Sequence, residues 1–184
     1  DTMSGSYLGP AYSQTEIEQS LKKLGAKFEI LSEEDLVDHT AKILAEGQAV
    51  GWMQDKMEFG PRALGNRSIL GDPRSPKMQK SLNLKVKHRE SFRPFAPSIL
   101  REQVSNWFSF DSDSPYMLFV ANVNEDKCRD MNIEEKALFG IEKLNVQRSE
   151  IPAVTHVDYS SRVQTVHKDT NLKCHQYSQF MDFN

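Results

Sequence analysis

The chain has little cysteine, no long apolar run and no repeats, and each shortage excludes something. Two cysteines in 184 residues, Cys128 and Cys174, lie far apart in sequence and fit no metal-ligand spacing. They read as free thiols of a reducing compartment, which favours the cytoplasm and excludes a disulfide scaffold. No apolar segment approaches the roughly 20 residues that a membrane helix needs. The opening Asp1-Thr2-Met3-Ser4-Gly5-Ser6 has no basic stretch followed by an apolar one, so no signal peptide is read there. The missing initiator Met suggests a native start upstream, and the apolar ending Phe180-Met181-Asp182-Phe183-Asn184, without a polar tail, suggests truncation at the other end. Aromatic residues make up 9% of the chain and form no obvious stacking platform, which argues against a single-stranded nucleic-acid reader. With 38% hydrophobic and 27% charged residues the composition is that of a globular protein, long enough for one domain with a real core.

What is present is unevenly distributed. The net charge is −3, yet Arg62 to Arg101 holds ten Lys or Arg against Asp72 and Glu90. That segment carries +8 and the remainder −11. A positive segment in an acidic chain suggests an anion site more than general affinity for nucleic acid, although a solvated basic face explains the same count.

Strand and helix signals intermingle without strict βαβ alternation, so the expected class is an α/β or α+β domain with a mixed, twisted sheet and flanking helices. Ser13 with Glu16 has capping-box spacing ahead of Ile17, Leu21 and Leu24, with Gly25 as a stop. Ser32 with Asp35 opens a second helix that ends at Gly47. Strands are expected at Phe28–Leu31, Ala49–Met53, Ser68–Leu70, Phe95–Leu100, Tyr116–Val123, Ala153–Val157 and Arg162–Val166. Helices are expected at Pro76–Leu84, Arg101–Phe108 and Asn132–Leu144, and from about Asn171 to the chain end.

Three stretches carry chemistry. Glu58-Phe59-Gly60-Pro61-Arg62-Ala63-Leu64-Gly65-Asn66-Arg67 is a glycine-rich loop whose N–H groups suit phosphate oxygens, with Arg62 adding a planar fork of donors. It lacks the Gly-Lys-Ser/Thr ending of a P-loop. A sharp turn with surface arginines is the plainer reading. In Lys85-Val86-Lys87-His88-Arg89-Glu90-Ser91-Phe92-Arg93-Pro94-Phe95, the cations Lys85, Lys87 and Arg89 share one face if the backbone is extended and not if it is helical. Here the plainer reading is a basic loop lying over apolar surface. In Thr155-His156-Val157-Asp158, His156 and Asp158 alternate, and no third ligand stands nearby, so a structural hydrogen bond is favoured over a metal. Asn66-Arg67-Ser68 has the form of a glycosylation acceptor, but a phosphate loop accounts for it better.

Together these stretches resemble the signature of the nodulation-protein and antibiotic O-carbamoyltransferase family, over nearly the whole chain. The matching pieces run Glu58 to Leu70, Lys87 to Pro97, Pro152 to Asp158 and Arg162 to Val166, with Tyr7-Leu8-Gly9-Pro10 and Ser114-Pro115-Tyr116-Met117. Residues 124–150 match poorly and read as an insertion. The resemblance implies the carboxy-terminal domain of that family, with the YrdC fold, a twisted open α/β sheet. Residues 1–13 would be the trailing edge of a connection and 14–184 the domain, cut short of an Asn-Thr-Ser-Phe-Asn-like segment. It implies carbamoyl phosphate as substrate and ATP with Mg²⁺, combined as carbamoyl adenylate. An amino-terminal, actin-like, metal-binding domain of the same polypeptide then transfers the carbamoyl group to a hydroxyl acceptor. By motif match Lys87, Arg62 and Arg93 are the catalytic set. Arg62, Asn66, Arg67, Lys87, Arg93 and Arg162 form the substrate-binding set. No metal ligand is expected in this chain. The rival readings are an RNA-binding or tRNA-modifying module of the YrdC type and a non-catalytic docking domain.

Overall fold

Ser13 accepts the Glu16 N–H while the Glu16 carboxylate accepts the Ser13 N–H, a complete capping box that starts α1 at Gln14–Lys23. Ser32 caps the Asp35 N–H in the same way and starts α2 at Glu33–Ala45. Both helices end where the sequence places glycine, at Gly25 and Gly47, each with positive φ. The computed structural model describes residues 2–180 and places seven helices and five strands among them. The strands are β1 (Val50–Met53), β2 (Arg67–Leu70), β3 (Ser98–Leu100), β4 (Phe119–Asn122) and β5 (Ser160–Val166). The later helices are α3 (Met78–Leu82), α4 (Val104–Trp107), α5 (Ile133–Ala137), α6 (Ile141–Leu144) and α7 (Leu172–Phe180). The expected end of the last helix, beyond Phe180, lies outside the described residues.

The class is mixed α/β, as expected. One sheet is the antiparallel pair β1–β2, with Val50 opposite Leu70. The other has the order β3-β5-β4, parallel between β3 and β5 and antiparallel between β5 and β4. Val104, Phe108, Val163, Ile99, Trp107, Ile151 and Val154 form the core beneath this three-stranded sheet. A smaller cluster of Val37, Trp52, Val166 and Cys174 joins α2, β1, the end of β5 and α7.

β5 is central yet polar, Ser-Ser-Arg-Val-Gln-Thr-Val. Its buried polar side chains are all used. Ser161 donates to the Val154 carbonyl at 2.7 Å, and Thr165 accepts the Ser114 N–H at 2.7 Å. Gln164 donates to the Leu64 carbonyl at 2.8 Å and accepts from Ser98 Oγ at 2.9 Å. A central strand thereby fastens the loops around it, because a buried polar group is tolerated only when it is paired.

Several expected elements differ. Phe28–Leu31 is not a strand: only Phe28 is half-buried, and the segment has no ladder partner. Ala153–Val157 is a set of turns closed by Val154 N–H to the Ile151 carbonyl and Tyr159 N–H to the His156 carbonyl. The Asn132–Leu144 helix is broken into α5 and α6, because Gly140 takes positive φ between them. The apolar run at Tyr116–Val123 yields only the short edge strand β4, whose Leu118, Phe119 and Val120 remain exposed while Ala121 and Val123 enter the core. The expected Pro76–Leu84 helix begins later, at Met78, and runs on into a π-helical turn, Asn83–Lys87. Lys85 and Lys87 therefore lie on a turn and not on an extended face.

Among the described residues neither cysteine forms a disulfide, and no helix is long and apolar enough to cross a membrane.

Candidate functional site

A cavity of about 420 Å³ opens where the Glu58–Arg67 loop, the Lys87–Pro97 segment and β5 meet. Four cations line it: Arg62, Lys87, Arg89 and Arg162. Apolar side chains line it as well, among them Phe95, Ile99, Met117 and Ile151. No Asp or Glu lines it among the described residues. The chain has nine arginines, and they divide cleanly. Arg67, Arg74, Arg101 and Arg129 pair with carboxylates, and Arg148 donates to the backbone carbonyls of Lys143 and Val146. Among the described residues Arg62, Arg89, Arg93 and Arg162 have no ion pair, and three of these four line the cavity. Cations left without internal counter-charges beside one opening form a field that attracts an anion.

The loop that carries Arg62 is folded around an anion of its own. The Glu58 side chain is fully buried, and its Oε1 accepts the N–H groups of Leu64 and Asn66, each at 2.7 Å, and of Arg67 at 3.2 Å. Its Oε2 stands 3.2 Å from Arg67 Nε, an ion pair without hydrogen-bond geometry. Gly65 N–H donates to Ser68 Oγ. Four of the loop's N–H groups, those of Leu64, Gly65, Asn66 and Arg67, are thus occupied within the protein, and Arg62 lines the cavity. Gly65 has φ +114, and a Cβ there would meet Asn171 Nδ2 at 2.9 Å, so this glycine allows a close approach to the residue that precedes α7.

The six residues of the substrate-binding set fall into two groups. Arg62, Lys87 and Arg162 share the cavity wall. Arg93 is exposed and does not line the cavity, although its charge is close enough to act on Arg89. Arg67 turns back onto Glu58 and the Gly60 carbonyl. Asn66 is buried in a separate polar network: its Nδ2 donates to the Lys56 carbonyl at 2.8 Å, and its Oδ1 accepts from Gln54 and Asn171. That burial also removes Asn66 as a glycan acceptor. Tyr7 joins the network, donating to the Leu64 carbonyl and accepting from Asn171, and burial pushes its phenol up to about 12. Sequence reasoning passed over Glu58, Gln164 and Asn83 as organisers and Arg89 as a wall residue. Only Arg89 left a signal, as one of the alternating cations.

His156 and Asp158 form the structural contact expected of them, Nδ1 to Oδ1 at 3.1 Å. No group of three or more His, Cys, Asp or Glu suited to a metal occurs among the described residues. The Asp158 carboxyl is lowered from 3.8 to about 2, first by the Ser160 hydroxyl and N–H and then by His156. A carboxylate held low by folding stabilises its turn above the unfolded value and loses that contribution as pH falls through the folded one. Protonation is therefore expected to release the Ser160 amide between pH 3.8 and about 2, read as increased exchange of that amide in an NMR titration.

Fold and cavity define a mixed α/β domain with a cationic, half-apolar pocket. The chain belongs to the carbamoyltransferase C-terminus family, which matches residues 41–182. It is 56% identical over 178 residues to an uncharacterised protein of Synechocystis sp., covering 96% of this chain and 29% of that protein. It is 40% identical over 169 residues to nodulation protein NolNO of Sinorhizobium fredii, covering 90% of this chain and 22% of that protein. It is 37% identical over 139 residues to the 3'-hydroxymethylcephem-O-carbamoyltransferase of Amycolatopsis lactamdurans, covering 76% of this chain and 22% of that enzyme. The chain thus spans less than a third of the length of these relatives.

Proposed function

We propose that this chain is the part of an O-carbamoyltransferase that holds carbamoyl phosphate and ATP and joins them as carbamoyl adenylate. The observation that carries this reading is one cavity lined both by four cations that have no ion pair among the described residues and by apolar side chains. Phosphoryl oxygens suit the cationic wall, where guanidinium forks match them bidentately. An adenine ring suits the side formed by Phe95, Ile99 and Ile151, and the volume is within the range of small-molecule sites. Overall, carbamoyl phosphate takes up one water and releases inorganic phosphate. The carbamate oxygen bonds to the α-phosphorus of ATP, and pyrophosphate leaves. Arg62, Lys87 and Arg162 hold the reactants together and face the charge that builds on the departing phosphates. Mg²⁺ would enter with the nucleotide and would neutralise phosphate charge there; among the described residues no carboxylate lines the cavity to hold it.

Transfer itself belongs to the rest of the polypeptide, an amino-terminal actin-like domain. The relative from Amycolatopsis is named for a hydroxymethyl group, and a hydroxyl acceptor is proposed here too. The test is isotope exchange between pyrophosphate and ATP in the full-length protein. Exchange that requires carbamoyl phosphate is expected. Exchange without it, or none with both substrates present, overturns the reading.

A further inference from the structure

Arg89 is the one wall cation whose guanidinium is visibly set in place. Its Nε donates to Asn83 Oδ1 at 2.6 Å, and its guanidinium carbon lies 5.0 Å above the centre of the Phe95 ring. Asn83 is completely buried and every polar atom of its side chain is used. Its Nδ2 donates to the carbonyls of Ser91 and Arg93, at 3.2 and 2.7 Å, and its own carbonyl accepts the Arg89 N–H at 3.0 Å. One buried amide thus closes the loop from residue 83 to residue 93 and fixes the direction of Arg89. His88 adopts left-handed backbone at the end of the π-helical turn, which brings the chain round to make this closure possible. Two contacts hold Arg89 through its Nε edge and one ring face. Among the described residues no carboxylate pairs with it, and no hydrogen bond is made by its two terminal nitrogens. Burial, and then the neighbouring Arg93 charge, lower its pKa, and the nearby Glu90 charge offsets part of that effect.

We propose that Arg89 is a further phosphate-binding residue of the cavity and that Asn83 is the positioning residue that presets it. This rests on the reading of the cavity as a phosphate site. A guanidinium locked by Nε and by ring stacking has lost its rotamer freedom before a ligand arrives, so less entropy is given up on binding. Its terminal nitrogens carry the remaining donors of the fork, which can donate to two phosphate oxygens. Arg93, whose own carbonyl is the second one that Asn83 binds, acts on the same region as charge.

The test is calorimetric titration of the full-length protein with carbamoyl phosphate and, separately, with inorganic pyrophosphate. Arg89→Gln keeps a side-chain N–H for Asn83 and removes the charge, and it is expected to fold with wild-type circular dichroism. A rise in Kd of about 10-fold or more is expected for either probe, the worth of a charge-assisted contact. Asn83→Ala is expected to weaken binding too. In the Arg89→Gln background it is expected to cost far less than alone, because both changes remove one interaction. A purely structural Asn83 gives independent, additive losses. Unchanged Kd in Arg89→Gln overturns the role of Arg89, and additive losses overturn that of Asn83. Failure of the unaltered protein to bind either probe overturns the underlying phosphate site instead. Should Asn83→Ala not fold, Arg89→Lys decides the geometric claim: it keeps charge without the fork, and affinity equal to wild type contradicts a preset fork.

Discussion

Arg62→Ala is expected to lower carbamoyl-phosphate-dependent pyrophosphate exchange by roughly 10²- to 10³-fold, the loss measured when one preset donor is removed from a site where charge develops. The size follows from how the residue is held. Its loop is pinned from inside by Glu58 and from β5 by Gln164, so Arg62 leaves a rigid support. It has no carboxylate partner among the described residues, and none of its charge is neutralised before the substrate arrives. A fixed dipole or charge stabilises a transition state most when nothing has to reorganise around it. Lys87→Ala is expected to act in the same direction with a smaller loss. Lys87 is exposed and ends the π-helical turn, and an ammonium on a flexible stem gives charge without fixed geometry. Arg129→Ala is the control. That arginine is paired with Glu135 in the 124–150 excursion, away from the cavity, and a change there is expected to stay within about twofold. Exchange rates of Arg62→Ala within a few fold of wild type contradict the assignment of this wall.

The parts of this arrangement that could be read in the sequence are those whose cause is local. α1 and α2 are announced by Ser13 with Glu16 and by Ser32 with Asp35, since caps act within one turn. The basic segment and the glycine-bracketed Arg62 announce an anion site because charge and glycine are visible without a fold. The missed parts depend on contacts distant in sequence. Phe28–Leu31 has strand composition, but a strand exists only with a partner, and among the described residues no strand pairs with it. The run Leu118-Phe119-Val120 looks like core and is exposed, because β4 falls at the edge of its sheet. Alternation of Lys85, Lys87 and Arg89 implied an extended backbone. The buried Asn83 instead ties the segment into a loop and turns Arg89, not Arg93, toward the cavity. Gln164 reads as a polar residue in a strand. Its two partners, Ser98 and Leu64, lie 66 and 100 residues away.

Glu58 supplies the largest expected effect on the fold itself. A carboxylate with no side-chain exposure, accepting three N–H groups and facing Arg67, is the centre about which residues 60–67 wrap. Glu58→Ala strands those N–H groups, of which Leu64 and Asn66 belong to buried residues, and each unsatisfied buried group costs about 1–3 kcal/mol. Arg67 is partly exposed and recovers water, so the ion pair adds little to that loss. A destabilisation of about 3–5 kcal/mol is expected, a large part of a typical domain's stability, read as a lower urea midpoint. Glu58→Gln separates charge from shape. Its oxygen can still receive the N–H groups, but its amide then points hydrogens at the Arg67 guanidinium, and a loss of about 1–3 kcal/mol is expected. Hydrogen exchange locates the damage: the amides of residues 64, 66 and 67 should open in Glu58→Gln at lower free energy than the β5 ladder. Equal protection of those three amides in the variant and the wild type contradicts the claim that Glu58 organises the loop. The same variant is expected to bind pyrophosphate more weakly although Glu58 never meets the ligand, because the support that aims Arg62 has loosened. On the proposed reading an anion site is built around a second, internal anion, which takes up three of the loop's backbone donors while Arg62 keeps its charge for the cavity.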